Sequence, residues 1–265
     1  MILRRIVRRV RREQRELLAR AERYWRSTRG YCPTCDRVTR FYDWTVNERE
    51  SGHCMWCGCK SRQRGLAHVI KSTYGVRKLD ELGGRDLSIL NTECGGPLHE
   101  QLSRNSRYTC SEDLGPEHAP GAIVNGIRNE DLQRTSFDDN SFDLVVSTEV
   151  FEHIPEPYAA HREVLRILKP GGRHIFTVPY VQKWQEDCVR AVIEDGKLRH
   201  LMCPEYHYDP LRPDGVLVFT IFSPAMLGRL EQIGFAVKEL PLAEPQLGIL
   251  GKNVVFECQK PLPIA

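Results

Sequence analysis

Five of the ten cysteines of this 265-residue chain lie in one short segment, and their spacing could hold a metal ion. Two Cys-x-x-Cys pairs are separated by eighteen residues. Tetrahedral zinc in structural sites takes thiolates from two such tight turns. The spacing therefore predicts a zinc ribbon, with two knuckles joined by a β-hairpin in which FYDWTVN (residues 41–47) is a short strand. The predicted ligands are Cys32, Cys35, Cys54 and Cys57.

Alternatives to this ligand set remain open. Cys59 or His53 could replace one of the four thiolates. The cysteines could also be reduced and metal-free, whereas a redox pair is disfavoured because no strand-helix-strand pattern surrounds either Cys-x-x-Cys. Four protein ligands leave no position for water, so the predicted site is structural.

A second set of chemically informative residues is acidic and follows strand-like runs in the later part of the chain. In an open α/β sheet, ligands bind beyond the carboxyl ends of the strands. Acids there could cap helices, but four in succession are better suited to a ligand with a ribose diol, an exocyclic amine and a cationic amino-acid tail. The four are Glu93, Glu112, Asp131 and Glu149.

The elements that must position these residues alternate between strands and helices from about residue 85 onwards. The clearest helix is PYAAHREVLRILK, whose apolar residues share one face and which PGG follows. This alternation predicts an α/β fold with parallel strands and helices on both faces of the sheet. The seven strand-like runs are LSILNTE, RYTCSE, AIVNGI, FDLVVSTE, RHIFTVP, FAVKEL and NVVFECQ.

The segments before this domain differ from it in charge. Residues 1–30 carry eleven arginines and three glutamates, a sum of +8, so a net charge of +3 leaves −5 for the rest of the chain. Apolar residues at helical spacing predict a basic amphipathic helix over residues 1–29, which could pack on the protein, a dimer mate or another protein, or contact phosphate or an anionic membrane. The ribbon is expected over 30–64 and a linking helix over 65–84, with Gly75 as a stop signal.

No apolar run is long enough for a transmembrane helix, and arginines interrupt the hydrophobic residues at the start of the chain. We therefore expect no transmembrane segment and no secretory signal, and a cytoplasmic location. The body of the protein lacks a basic excess, which makes nucleic acid a less favoured partner.

A longer stretch resembles a known family. NEDLQRTSFDDNSFDLVVSTEVFEHIPEPYAAHREVLRILKPGGRHIFTVP is similar to the core of the class I S-adenosylmethionine-dependent methyltransferases of the type 11 branch. The acid after the third strand, FDLVVS, the EHI turn and LKPGG occur in the family's order. The resemblance covers about residues 86–260 and implies a Rossmann-like, seven-stranded sheet closed by an antiparallel hairpin.

The resemblance also implies roles for individual residues. Glu93, Gly95 and Gly96 would line the methionine part of S-adenosyl-L-methionine, and Glu112 would accept hydrogen bonds from the ribose. Asp131 and Leu132 would meet the adenine, and Glu149 would lie beside the sulfonium. Pro97 departs from the family's E-x-G-x-G loop, because it stands where the second spaced glycine would be.

Methyl transfer to an oxygen requires a base to take the proton, and two histidines are candidates. His153 follows the fourth strand, although it could simply pack in that turn. Residues 181–218 form an insertion that should cover the substrate side, and within it His207 lies two residues from Asp209 in what could also be a polar turn. We expect His153 to be the better base because it follows a rigid element.

Three functions are consistent with these features. The favoured one is methyl transfer to a hydroxyl or amine of a small molecule or glycan. An RNA-directed methyltransferase could use the ribbon and the arginine-rich arm, and binding would then fall steeply with salt. A non-catalytic binding protein could have kept the fold and lost the cofactor through the altered loop.

Overall fold

The structure is a computed structural model that describes residues 26–209 and 211–263. Residues 1–25 of the predicted basic helix lie outside the described residues. Thr28 and Arg29, which the prediction placed in that helix, belong instead to the first strand, β1 (Thr28–Cys32).

The cysteine-rich segment folds into a small antiparallel sheet of three strands, β1, β2 (Arg37–Tyr42) and β3 (His53–Cys54). A 3-10 helix, Glu48–Glu50, precedes β3. The strand predicted for FYDWTVN is only partly present, because β2 ends at Tyr42 and the next five residues are irregular. This sheet and its turns are called the cysteine module below (residues 28–59).

Helix α1 (Ser61–Tyr74) follows the cysteine module and starts four residues earlier than the predicted linking helix. It ends at Gly75, whose φ of 60° provides the left-handed C-cap that the sequence indicated. The remainder of the predicted helix is a separate 3-10 helix, Leu79–Gly84.

Arg64 on α1 joins three parts of the chain. Its side chain is fully buried, donates 2.6 Å and 2.7 Å hydrogen bonds to the carbonyls of Gly248 and Cys59, and lies 4.2 Å from the centre of the Phe41 ring. Gly248 has a φ of +64°, and a Cβ there would lie 2.4 Å from the Phe41 ring. The close approach keeps the cysteine module packed against the main domain.

The main domain contains an eight-stranded sheet. Its strands are β4 (Ile89–Asn91), β5 (Tyr108–Glu112), β6 (Ile123–Val124), β7 (Ile127–Asn129), β8 (Phe142–Thr148), β9 (Leu168–Thr177), β16 (Ala236–Glu244) and β17 (Ile249–Gln259). Their order in the sheet is β16-β17-β9-β8-β4-β5-β7-β6. The neighbouring pairs from β9 to β7 are parallel, whereas β17 runs antiparallel to β9 and forms a hairpin with β16. This arrangement confirms the predicted Rossmann-like fold with its closing hairpin.

Helices cover both faces of the sheet, which is why its central strands are apolar throughout. Helices α3 (Pro157–Ile167) and α4 (Ala225–Ile233) contribute to one buried apolar cluster. Helices α1 and α2 (Gly96–Leu102) contribute to a second. None of the helices in the described ranges has the length and apolarity needed to span a bilayer.

The third predicted strand, AIVNGI, is a hairpin rather than one strand. Asn125 and Gly126 have φ values of 50° and 84° and separate β6 from β7. An Asn-Gly pair favours the tight turns that require positive φ at both positions. Only β7 pairs with β5 in parallel, so the strand that precedes Asp131 begins at Ile127.

The predicted insertion, residues 181–218, contains short antiparallel ladders. The strands are β10 (Cys188–Val189), β11 (Ala191–Glu194), β12 (Lys197–His200), β13 (Tyr206–Asp209), β14 (Arg212–Leu217) and β15 (Thr220–Ile221). Strand β11 pairs with β12, and β13 pairs with β14. Strand β10 pairs with β15, which lies just beyond the predicted end of the insertion.

Two histidines lie fully buried in the apolar cluster beneath α3. His161 stacks on Phe151 at 4.0 Å, and His174 stacks on Phe176 at 4.4 Å. Among the described residues, neither ring nitrogen of His161 has a hydrogen-bond partner, whereas His174 Nε2 lies 2.8 Å from Ser147 Oγ. Burial lowers the pKa of His174 to about 3 and the pKa of His161 well below 6.5.

These histidines predict a loss of stability in mild acid. In the unfolded chain a histidine gains a proton near pH 6.5, whereas the buried histidine in the folded chain stays neutral. The contribution of these two histidines to stability is therefore full above pH 6.5 and falls as the pH drops towards their folded pKa. Each histidine should lower the free energy of unfolding by about 2 kcal/mol between pH 7.5 and pH 5. Urea unfolding of His161→Phe should show a smaller loss over this interval than the wild type.

The control is His200→Phe, which changes an exposed histidine in β12. It should keep the pH dependence of the wild type. An unchanged pH dependence in His161→Phe would show that His161 takes up its proton equally in the folded and unfolded states.

Candidate active site

Three of the four predicted acids lie together at the carboxyl edge of the sheet. Glu112 ends β5, Glu93 follows β4 by two residues, and Glu149 directly follows β8. Burial, together with the charges of Glu112 and Glu149, raises the pKa of Glu93 to about 7 against the opposing effect of Arg62. Because β4 pairs in parallel with both β5 and β8, the three acids share one edge of the sheet.

The ECGGP loop connects β4 to α2 and is held by one of these acids. Glu112 Oε1 accepts a 2.8 Å hydrogen bond from the Cys94 backbone N–H, and burial raises the pKa of Glu112. Gly95 is the N-cap of α2 and Gly96 has a φ of 78°. A Cβ on either glycine would meet no described atom within 4 Å, so the space beside the loop is open.

Pro97 is compatible with this loop. It lies in the first turn of α2, where a backbone N–H has no partner within the helix and the fixed φ of proline suits the helix start. The departure from the family's glycine pattern is therefore accommodated by the helix start.

Asp131 and Leu132, which the resemblance assigned to the adenine, differ in their exposure. Asp131 is exposed, and its carboxylate accepts a 2.8 Å hydrogen bond from the Gln133 N–H. Leu132 is buried in the apolar cluster beneath α3 and α4.

Arg49, which the sequence did not single out, binds Glu149. Its guanidinium reaches from the cysteine module and donates hydrogen bonds of 2.7 Å and 2.6 Å to the two oxygens of Glu149, and a third of 3.2 Å to the Val178 carbonyl. Burial raises the pKa of Glu149, but Arg49 outweighs this effect and lowers it to about 2. Glu149 is therefore ionised and neutralised by a residue one hundred positions earlier.

A second arginine from the same end of the chain approaches the acids. Arg62 Nε lies 2.6 Å from Glu50 Oε1, and its Nη1 is buried without a hydrogen-bond partner in the described part of the chain. Its charge lowers the pKa of Glu93 and of Glu149. The clue in the sequence was weak, because Arg62 lies in a basic segment that predicted only a helix.

The two candidate bases occupy one cluster rather than two places. The His153 and His207 rings are 5.0 Å apart, and His153 Nε2 and His207 Nδ1 each lie 3.6 Å from Glu152 Oε1. His153 Nδ1 lies 2.8 Å from the Leu217 carbonyl and must donate to it, which leaves Nε2 unprotonated in the neutral ring. Burial lowers the pKa of His153 to about 4.

The insertion brings His207 to this position. The backbone N–H of Phe219 donates to the Glu152 carbonyl at 2.7 Å, and Arg212 hydrogen-bonds to the Asp113 carbonyl beyond β5. The two-residue spacing suggested that His207 and Asp209 point the same way along an extended segment. The strand register shifts between them, and the Asp209 carboxylate lies 3.4 Å from Arg212. The insertion thus spans the edge from β5 to β8.

The predicted zinc ligands form a second cluster in the cysteine module. Cys32, Cys35, Cys54 and Cys57 present sulfur atoms that all lie within 4.8 Å of one another. Cys59 is also near, at 3.4 Å from Cys32.

Comparisons with known proteins find similarity over the central part of the chain. Residues 95–176 match a family model described as a methyltransferase domain. Over this range the chain is similar to methyltransferase domains. The matched range includes Glu112, Asp131 and Glu149, as well as Glu152 and His153 beside the insertion.

Curated relatives are similar over the same part of the chain. Ubiquinone biosynthesis O-methyltransferase of Xanthomonas oryzae pv. oryzae is 33% identical over 130 residues, which cover 44% of this chain and 53% of that protein. Cycloartenol-C-24-methyltransferase 1 of Oryza sativa subsp. japonica is 28% identical over 51% of this chain and 42% of its own length. The chain thus spans about half the length of the curated relatives it matches.

Solved structures of the same kind are more distant in sequence. An S-adenosylmethionine dependent methyltransferase from Mesorhizobium loti is 19% identical, covers 66% of this chain and 91% of its own, and has a TM-score of 0.41. A 1,6-didemethyltoxoflavin-N1-methyltransferase from Burkholderia thailandensis, solved with S-adenosylhomocysteine, is 15% identical over 76% of this chain and 87% of its own, with a TM-score of 0.39.

The contact between the cysteine module and the main domain predicts a specific mutational pattern. Arg49→Ala leaves Glu149 buried without its partner and should lower the free energy of unfolding by about 3 kcal/mol. Glu149→Gln alone should also destabilise the protein, but the double variant should lose less than the sum of the two. A double-mutant cycle from urea unfolding measures this coupling, and strictly additive losses would contradict the pairing.

Proposed function

We propose that this chain is an S-adenosyl-L-methionine-dependent methyltransferase that acts on a hydroxyl or amine of a small molecule or glycan. The observation that carries the proposal is the convergence of Glu93, Glu112 and Glu149 beside the open ECGGP loop, at the strand ends of a methyltransferase domain. The similarity to an O-methyltransferase over about half its length supports a hydroxyl acceptor.

The chemistry of the edge suits this cofactor, which carries a sulfonium, an ammonium group and a ribose diol. Glu93 and Glu112 are partly exposed carboxyls that can receive positively charged or hydroxyl groups. One oxygen of Glu112 holds the loop, so the other is the proposed acceptor for the ribose hydroxyls. Thr92 Oγ1 is buried at the same edge and has no hydrogen-bond partner among the described residues.

S-adenosyl-L-methionine, when bound, supplies an electrophilic methyl group for in-line displacement. The protein then has to align the acceptor, exclude water and provide for the acceptor's proton. We assign water exclusion to the insertion, which spans the edge from β5 to β8. His153 and His207 are the proposed catalytic residues, and Glu149 is a proposed neighbour of the reactive end.

Cofactor binding tests this proposal directly. Isothermal titration of S-adenosyl-L-methionine into the purified chain should show one binding site. Glu112→Ala should weaken binding by about 1.5–3 kcal/mol, because a hydrogen bond to a charged acceptor is lost, whereas Glu231→Ala on the exposed face of α4 should match the wild type. No binding to the wild type would favour the non-catalytic alternative.

We further infer that the cysteine module holds a structural zinc ion. Tetrahedral Zn–S bonds of about 2.3 Å place the sulfur atoms about 3.8 Å apart. The Cys32–Cys57 and Cys35–Cys54 separations are both 3.9 Å, close to this value. Cys59 is less suited, because its sulfur and carbonyl already contact the buried Arg64 guanidinium.

Elemental analysis of protein purified without chelator should find about one tightly held zinc ion per chain. Cys32→Ser should lose this ion and destabilise the cysteine module, because the ligand bonds contribute to its folding. Cys203→Ser, at an exposed cysteine far along the chain, should retain the zinc. Full zinc content in Cys32→Ser would exclude Cys32 as a ligand.

A further inference from the structure

We propose that Glu152, His153 and His207 form a second metal site, which binds a divalent transition-metal ion at the edge of the active site. One ligand atom from each residue lies within 4.8 Å of the others. Two of these residues follow β8 and the third comes from the insertion. The site therefore forms only where the insertion meets the main domain.

The strongest evidence is the state of the Glu152 carboxylate. Its side chain is 0% exposed, and neither oxygen has a hydrogen-bond partner among the described residues. A buried carboxylate without partners is costly unless it is paired, coordinated to a metal or neutralised by a proton. The two imidazole nitrogens at 3.6 Å are too distant to be its hydrogen-bond donors, but a cation between them and Glu152 would satisfy all three groups.

The histidines are oriented as metal ligands are. His153 Nδ1 donates to the Leu217 carbonyl, so Nε2 directs its lone pair towards Glu152. His207 Nε2 lies 3.6 Å from Glu205 Oε1, on the side away from Glu152. Metal-binding histidines commonly have an outer carbonyl or carboxylate of this kind, which fixes the ring and its tautomer.

The ligand set indicates which ions would bind and what they could do. Two imidazoles and one carboxylate suit zinc, manganese or iron in the divalent state, and three protein ligands leave at least one position open. This differs from the cysteine cluster, where four thiolates would close the coordination sphere of the proposed zinc ion.

Nearby charges favour a cation at this place. Glu149 contributes negative charge from the end of β8, and Glu205 of the insertion lies 3.6 Å from His207. Arg49 opposes them, but its guanidinium is engaged with Glu149. The site is therefore acidic on several sides.

The catalytic role of this ion rests on the proposed function. The ion would bind the hydroxyl oxygen of the acceptor and lower the pKa of that hydroxyl, so that its proton leaves to water as the acceptor binds, before water is excluded. The oxygen then forms a bond to the methyl carbon, and the sulfur keeps the electron pair of the broken carbon–sulfur bond. In this arrangement His153 and His207 hold the acceptor through the ion and do not remove its proton themselves.

Manganese(II) is the probe for this site, because it does not compete with zinc for thiolates. Full-length protein that carries one zinc ion per chain is titrated with Mn²⁺, and the electron paramagnetic resonance signal of free Mn²⁺ should reveal one further site per chain. Glu152→Gln and His207→Ala should weaken this binding more than tenfold. His200→Ala, a change within the same insertion, should bind as the wild type does.

Folding and function are separated by two further measurements on the same samples. Circular dichroism and the thermal midpoint show that each variant is folded, and His207 on the surface strand β13 provides a variant that leaves the core intact. S-adenosyl-L-methionine binding, measured without added metal, tests the proposed function separately. If only cofactor binding were absent, the proposed function would be contradicted and the metal site would not. Absence of binding of both Mn²⁺ and a second Zn²⁺, or equal affinity in Glu152→Gln and His207→Ala, would overturn the metal site.

Discussion

The ion pair between Arg49 and Glu149 determines how the two parts of this protein can be arranged. Glu149 follows the central strand β8, and its conformation, with a φ of 55°, directs its carboxylate to a guanidinium from the cysteine module. Burying either charge alone would be strongly unfavourable, so the module and the strand end must remain together. The cysteine module is consequently one wall of the candidate active site.

The same electrostatic constraint extends along the carboxyl edge of the sheet. Parallel strands bring their terminal acids together, and burial raises the pKa of Glu93 and of Glu152 to about 7. Arg49 and Arg62 offset only part of this negative charge. An edge with this composition is suited to positively charged ligands, which is consistent both with a sulfonium cofactor and with a metal ion a few residues further along the chain.

The insertion adds the substrate side of the site. It is anchored at Glu152 through Phe219 and near β5 through Arg212, and it places His207 opposite His153. Its own strands are short and largely exposed, so its position depends on these anchors more than on an apolar core. The position of His207 beside His153 therefore depends on contact between the insertion and the main domain.

The sequence by itself determined the features that are local or periodic. Cys-x-x-Cys spacing placed four thiols in one segment, strand and helix periodicity predicted the α/β sheet, and the acids at strand ends indicated a candidate functional edge. Where a local turn changed the outcome, as at Asn125 and Gly126, the strand prediction was too long. Terminal boundaries such as the start of α1 at Ser61 also depended on contacts that periodicity does not contain.

Only the tertiary structure decided which distant side chains meet. Arg49 and Glu149 are one hundred residues apart, and His153 lies 64 residues from the Leu217 carbonyl that orients it. No spacing rule relates such positions, because their proximity depends on how the module and the insertion pack on the sheet. Burial, which raises the pKa of Glu93 and of Glu152, is likewise a property of the assembled fold. The packing of the insertion also brings the two competing base candidates, His153 and His207, into one cluster.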